Sequence, residues 1–184
     1  MPQDRRDAYY HERIQEFGPC YANFNPLLAQ LALNFVYTSE VFQQATGRYR
    51  APFGLSKSTF NVLMLLRHGP EGGMQLHELG ELLLVSRANI TGLVDHLERE
   101  GCVNRVIDSE DRRVRRAQIT KKGKALLDEF IPVHFGNLKI LLQDLSAEEE
   151  KVLLGLLRKM RASVAAHAEA CGAARSPAYR TDQG

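Results

Sequence analysis

The chain has 184 residues, 44% of them hydrophobic and a quarter charged, with a formal net charge of only +2. That length buries a core in one domain or two small ones, and the near-neutral balance excludes a protein that coats polyanions through bulk charge. Three cysteines, Cys20, Cys102 and Cys171, odd in number and far apart, exclude a disulfide framework.

The opening residues, MPQDRRDAYYHERIQEF, contain no apolar run of the signal-peptide kind. The most apolar stretch, FNVLMLLR, is too short to span a bilayer. The expectation is a soluble protein of a reducing cytoplasm with no membrane partner.

Helical periodicity begins at NPLLAQLALNFVYTSEVFQQATGRY, where Leu27, Leu28, Leu31, Phe35, Val36 and Phe42 lie near one stripe and Pro26 suits a first turn. APFGL interrupts it with Pro52 and Gly54. Ser56 is a candidate cap for KSTFNVLMLLRH, apolar nearly all round and stopped by Gly69 and Pro70. After the turn GPEGG, Leu76, Leu79 and Leu83 give QLHELGELL one apolar face.

A short gap leads to SRANITGLVDHLEREG, with Ser86 as N-cap and Gly101 just past the end. Ile90, Leu93, Val94 and Leu97 form the inward stripe of that helix. Opposite lie Ala88 and Gly92, then Asp95 and Arg99, with Asn89, Thr91 and His96 on the flanks. Small residues on an exposed face cost helix propensity, about 1 kcal/mol for Gly against Ala, but let that face approach another surface closely. Two short helices with a tight link, the second Ser-capped and polar outside, predict a helix-turn-helix.

CVNRVI and RRAQIT are β-prone runs around DSEDRRV, and Ala117 and Ile119 alternate with Arg116 and Gln118. The prediction is a hairpin, so the unit is a winged helix. Charge concentrates here: between Ser86 and Lys124 ten Lys or Arg stand against six Asp or Glu, a local +4 that leaves −2 elsewhere. Such asymmetry suggests a localised anionic partner, with a solvated charged face as the bland alternative.

Thr120 is the expected cap of KKGKALLDEFIPVHFGNLKILLQDL, in which Leu127, Phe130 or Ile131, His134, Leu138, Leu141 and Leu145 track one face. Pro132 within this run should kink it or break it locally. Ser146 with Glu149 makes a capping box for AEEEKVLLGLLRKMRASVAAHAEA, and the polar, Pro- and Gly-bearing segment from Cys171 onward should be a disordered tail.

A major groove about 12 Å wide admits one helix whose outer face carries donors and acceptors without bulk. Ser86, Arg87, Asn89 and Thr91 meet that description, Asn being able to read adenine and Arg guanine. Arg112, Arg113, Arg115 and Arg116 would carry positive charge into the neighbouring minor groove, braced by Asp108, Glu110 and Asp111.

The stretch SRANITGLVDHLEREGCVNRVIDSEDRRVRRAQITKKG resembles the recognition helix and wing of MarR-type regulators. The family patterns LVDxLExxG, DxxDRR and LTxxG correspond to Leu93–Gly101, Asp108–Arg113 and Ile119–Gly123. Ile119 stands for the commoner Leu, Ser109 for a frequent Pro and His96 for a common Arg. The likeness extends in outline from Pro26 to Ala168.

It implies a mainly α fold with a small β-wing, in which the winged helix-turn-helix is flanked by N- and C-terminal dimerisation helices. The divisions are an extension at 1–17, a dimerisation helix at 18–54, the DNA-binding domain at 55–120, dimerisation helices at 121–170 and a tail at 171–184. It also implies a homodimer on a pseudo-palindromic double-stranded operator, with half-sites about 34 Å apart, and a repressor released by a small aromatic or phenolic ligand. Tyr37, Met64, Arg67, His68 and His134 are the candidate ligand-lining residues, by helix and face alone.

No metal or cofactor is expected: His134 has no ligand partner one helical turn away, and HEL at His77 is not HExxH. No Gly-rich phosphate loop or catalytic grouping suggests an enzyme. Two other readings stay open, a winged-helix protein-interaction module and a thiol-based redox regulator acting through Cys20.

Overall fold

The first helix lies where the sequence suggested only an extension. In the computed structural model, which describes residues 5–107 and 115–174, α1 spans Arg5–Phe17 and passes through a 3-10 turn, Gly18–Cys20, toward α2, Pro26–Arg50. Asn25 caps α2 by accepting from the Leu28 amide at 3.0 Å. Ser56 caps α3, Lys57–His68, by accepting from the Thr59 amide at 3.0 Å. These caps satisfy amides that no helix bond reaches.

A two-residue strand β1, Met74–Gln75, leads directly into α4, Leu76–Leu83. Helix α5, Arg87–Arg99, follows after a three-residue turn, with Ser86 accepting from the Asn89 amide at 3.3 Å. Gly101 ends it at φ 70°, a conformation only glycine adopts cheaply.

Strands β2, Val103–Ile107, and β3, Arg115–Ile119, pair antiparallel with Val103 opposite Ile119 and Ile107 opposite Arg115. Strand β1 adds to the other edge of β3, Met74 opposite Ala117, giving the order β1-β3-β2. Two residues are too few to show a period, so this third strand was not legible in the sequence. Helix α6 spans Lys121–Leu141 and α7 Ala147–Ala174.

Two compact units divide the chain, Met1–Asn137 and Leu138–Gly184. The core belongs to the first. Val62, Leu63, Leu79, Ile90, Val94, Val103, Ala117, Leu127 and Phe130 are all completely buried, so α3, α4, α5, the sheet and the first turns of α6 share one interior. Each buried Val, Leu, Ile or Phe side chain among them contributes about 1.5–3 kcal/mol by leaving water.

Helix α6 ends at Leu141, before the expected Leu145, and has no break at Pro132. Proline removes the one bond its amide would have given the Asp128 carbonyl, but the turns before it are anchored. Phe130 is fully buried, and Arg67 of α3 pairs with Asp128 and donates to the Lys124 carbonyl at 3.0 Å. Helix α7 continues four residues past the expected start of the tail.

In the second unit the Ser146 amide and hydroxyl both donate to Glu149 at 2.8 Å, holding that carboxylate below its ordinary range. Large apolar side chains stay exposed on α2, at Leu27, Leu28, Leu31, Phe35 and Val36, and on α7, at Val152, Leu153, Leu154, Leu156 and Leu157.

Candidate nucleic-acid interface

Helix α5 is oriented by its buried stripe. With Ile90, Val94 and Leu97 sealed into the core, Ser86, Arg87, Ala88, Asn89 and Gly92 face outward and exposed. A side chain at Gly92 would meet nothing within 4 Å, so the outer face of the helix is flat and open. Thr91 is half-buried and its hydroxyl donates to the Arg87 carbonyl at 2.8 Å.

The turn between α4 and α5 depends on Leu84, which adopts φ 54° and is 92% exposed. A left-handed leucine costs about 1–2 kcal/mol. It is held there by its amide on the Glu81 carbonyl at 3.2 Å and by the Val85 amide on the Gly80 carbonyl at 3.0 Å. The result is a concave surface of about 710 Å³ running from α4 across the start of α5 to β3, with Gln75, His77, Leu84, Arg87, Thr91 and Arg115 on its walls. Of these only Arg87, Thr91 and Arg115 stood out in the sequence. Gln75, His77 and Leu84 join because β1 and the tight turn bring them alongside.

The wing arginines divide. Arg115 is exposed beside α5, whereas Arg116 points the other way, half-buried, and donates to the Gly73 carbonyl at 3.2 Å. The strand period forces this, since successive side chains take opposite faces. Arg116 therefore ties β3 to the β1 edge through this contact. Arg112 and Arg113, with Asp108, Glu110 and Asp111, lie outside the described residues.

Among the described residues the wing strand is tied to the recognition helix. Arg105 on β2 pairs with Asp95 and, at 2.8 Å, with Glu98, and its amide donates to Glu98 at 3.2 Å. At the other end Thr120 donates to the Gly101 carbonyl at 2.8 Å and accepts from the Gly123 amide at 3.1 Å, so one hydroxyl joins the helix end to the start of α6.

The five candidate ligand residues do not form one group. Met64 packs half-buried against the core and His68 is exposed at the end of α3. Arg67 is occupied by Asp128 and the Lys124 carbonyl. His134 sits half-buried among the rings of Phe60, Phe130 and Tyr49, with Tyr49 Oη 3.2 Å from its Nδ1. Burial, and then the charge of Arg50, push His134 below the ordinary histidine value; burial pushes the Tyr49 phenol up. Tyr37 lies apart, against α1, under the guanidinium of Arg6.

Nothing in the sequence singled out Arg50. It is 7% exposed, and among the described residues its Nε meets no hydrogen-bond partner. An arginine in the last turn of a long helix reads as an exposed dipole partner, and nothing local foretells its burial.

Cys20 is exposed and closes the 3-10 turn, five residues ahead of the Asn25 cap. Cys102 is buried, its thiol pushed up chiefly by burial. Among the described residues no three His, Cys, Asp or Glu side chains come together to hold a metal, and no helix is long and apolar enough to cross a membrane.

This architecture has close counterparts. The model of the MarR family matches residues 55–114. The HTH-type transcriptional repressor YetL of Bacillus subtilis is 33% identical over 147 residues, spanning 80% of this chain and 88% of that protein. Sco3205, a MarR family regulator from Streptomyces coelicolor solved in complex with DNA, shares the fold with a TM-score of 0.71 at 20% identity, over 77% of this chain and 90% of that one. CouR from Rhodococcus jostii RHA1, solved with p-coumaroyl-CoA, shares it with a TM-score of 0.63 at 22% identity, over 73% and 91%. A Ser-capped recognition helix with a flat polar face, a basic wing strand beside it and a relative at this level of identity lead to one conclusion: the chain belongs to the MarR family of DNA-binding transcription regulators.

Proposed function

We propose that the protein is a cytoplasmic, homodimeric repressor that reads a pseudo-palindromic operator and releases it when a small aromatic or phenolic acid binds. The observation that carries this reading is the open outer face of α5, on which Asn89 is exposed, with Arg87 beside Arg115 along one concave surface. Asn89 and Arg87 would read base edges in the major groove, while Ser86 and Thr91 would meet phosphate or base. Arg112, Arg113 and Arg115 would follow the adjacent minor groove, with Arg116 bracing them through Gly73.

The homodimer is supported by apolar surface that a monomer leaves wet. Leu27, Leu28 and Leu31 of α2 are 71%, 62% and 55% exposed, and α7 carries its own row of exposed leucines. Exposed apolar area of that extent marks an association surface. The effector reading rests on the half-buried aromatic cluster around His134, with Tyr49 and the buried cation of Arg50 beside it, as an acid would require. CouR, a protein of the same fold, was solved bound to p-coumaroyl-CoA.

Operator footprinting combined with sedimentation tests the whole reading. Two protected half-sites one helical turn apart, bound by two protomers, are expected; one protomer on an unpaired site would overturn the dimer.

A further inference from the structure

The turn between α4 and α5 is closed by two backbone hydrogen bonds, Leu84 amide to Glu81 carbonyl and Val85 amide to Gly80 carbonyl. Neither needs a side chain at position 84. They hold Leu84 at φ 54°, in the left-handed region that glycine occupies without strain. A leucine there is unfavourable twice over. It strains the backbone, and at 92% exposure it leaves nearly all of its apolar side chain in water.

A lone exposed leucine is ordinary on a protein surface, but an exposed leucine in a left-handed turn is not. Packing does not account for it. Leu83 and Val85 on either side rest against the core, whereas Leu84 turns outward. Strain kept where a smaller residue would relieve it points to a contact made outside the molecule.

The concave surface locates that contact. Leu84 shares its walls with Arg87 and Thr91, one turn apart on α5, and with His77 and Arg115. Among the described residues lining it, two guanidiniums stand against one carboxylate, that of Glu81. An apolar tip set among cations suits DNA, whose major-groove edge carries one apolar group, the thymine methyl.

We propose that Leu84 is a specificity-determining residue, its side chain seated against the 5-methyl group of a thymine at the edge of the groove that α5 enters. This rests on the DNA reading proposed above. Among the four bases thymine alone carries that methyl, so an apolar contact distinguishes it. Cytosine in its place would bring an amino donor that leucine cannot satisfy. The turn fixes the leucine backbone before DNA arrives, so little ordering is left for binding to supply.

Fluorescence-anisotropy titration of the full chain tests this, using a duplex selected from a random pool with each thymine of one half-site replaced in turn by deoxyuridine. The replacement deletes the methyl and leaves base pairing intact. One position is expected at which the wild type loses roughly fourfold in affinity, the worth of one buried apolar carbon. At that position Leu84→Gly binds the thymine and deoxyuridine duplexes alike, while Leu84→Met, which keeps the apolar reach, retains the difference. The urea midpoint of Leu84→Gly stays at or above that of the wild type, which separates the effect from a folding defect. Methyl effects that all persist in Leu84→Gly, or a wild type with none, would overturn the proposal. So would a loss in Leu84→Gly that is equal on the two duplexes and leaves the methyl effect in place. A wild type that prefers no duplex to its scramble overturns the DNA reading itself, and shows this before any variant is made.

Discussion

Arg105 of β2 is ion-paired with Asp95 of α5, and the same guanidinium reaches Glu98 one turn further along the helix. The wing base is thereby fixed to the recognition helix, so the angle between the two DNA-facing elements is set by side chains as well as by the short connection at Gly101. Without Arg105 the two carboxylates face each other across one turn. Arg105→Ala is expected to lower stability by about 1 kcal/mol and to weaken operator binding beyond what that loss accounts for. Arg105→Lys, which keeps the charge without the fork, restores only part. Urea midpoints and operator titrations on the same samples separate the effects. Unchanged affinity in Arg105→Ala would mean the hairpin ladder alone holds the wing.

Asn89 and Arg113 should fail in different ways. If Asn89 reads a base as proposed, Asn89→Ala should cost about 1–3 kcal/mol at one base position while leaving non-specific binding nearly intact. Arg113→Ala should weaken binding to every duplex and flatten the salt dependence by roughly one unit of slope for each phosphate no longer neutralised. Equal weakening on specific and random DNA in Asn89→Ala would make that residue a backbone contact.

The interior is sensitive where rings and backbone meet. Phe130 is fully buried, with Tyr49, Phe53, Phe60 and His134 around it, and Phe130→Ala should cost about 3–5 kcal/mol in denaturant unfolding. Gly123→Ala should also be strongly destabilising, because a Cβ there runs into the Cys102 carbonyl oxygen. Wild-type stability in Gly123→Ala would show that the junction between β2 and α6 can give way.

His134 makes stability pH-dependent with a definite sign. Burial first, and Arg50 second, depress its folded value below the ordinary 6.5. As pH falls from about 6.5, the unfolded chain takes up this proton before the folded protein does. The contribution is complete above that value and is lost on acidification through the window below it. Urea midpoints from pH 7.5 to 5 should therefore fall more steeply for the wild type than for His134→Asn; parallel curves would refute the assignment.

The DNA-facing half of the molecule was legible because its signals are local. Ser86, Gly101, Thr120 and the alternation around Ala117 each act within a few residues, and each does so in the structure. What escaped depends on distant segments. Helix α1 is rich in charge, with Tyr10, Ile14 and Phe17 as a thin apolar stripe at helical spacing, and the segment of α2 it lies against comes into play only in the structure. Arg116 reads as one more wing charge until β1 brings the Gly73 carbonyl beside it. Arg50 is ordinary until α6 brings His134 within range of its charge. Pro132 looks like a break until Phe130 and Arg67 anchor the turns before it.

The flat face of α5 and the basic wing are proposed to read double-stranded DNA by sequence. Fluorescence-anisotropy titration of the protein against a duplex selected from a random pool, with its scrambled counterpart, at low and near-physiological salt, tests this most directly. Tight binding to the selected duplex is expected, with weaker binding to the scrambled one by a factor of about 10³ or more and a loss of affinity for both as salt rises. Equal and weak binding to the two duplexes would contradict it and turn attention to a protein partner for the same face.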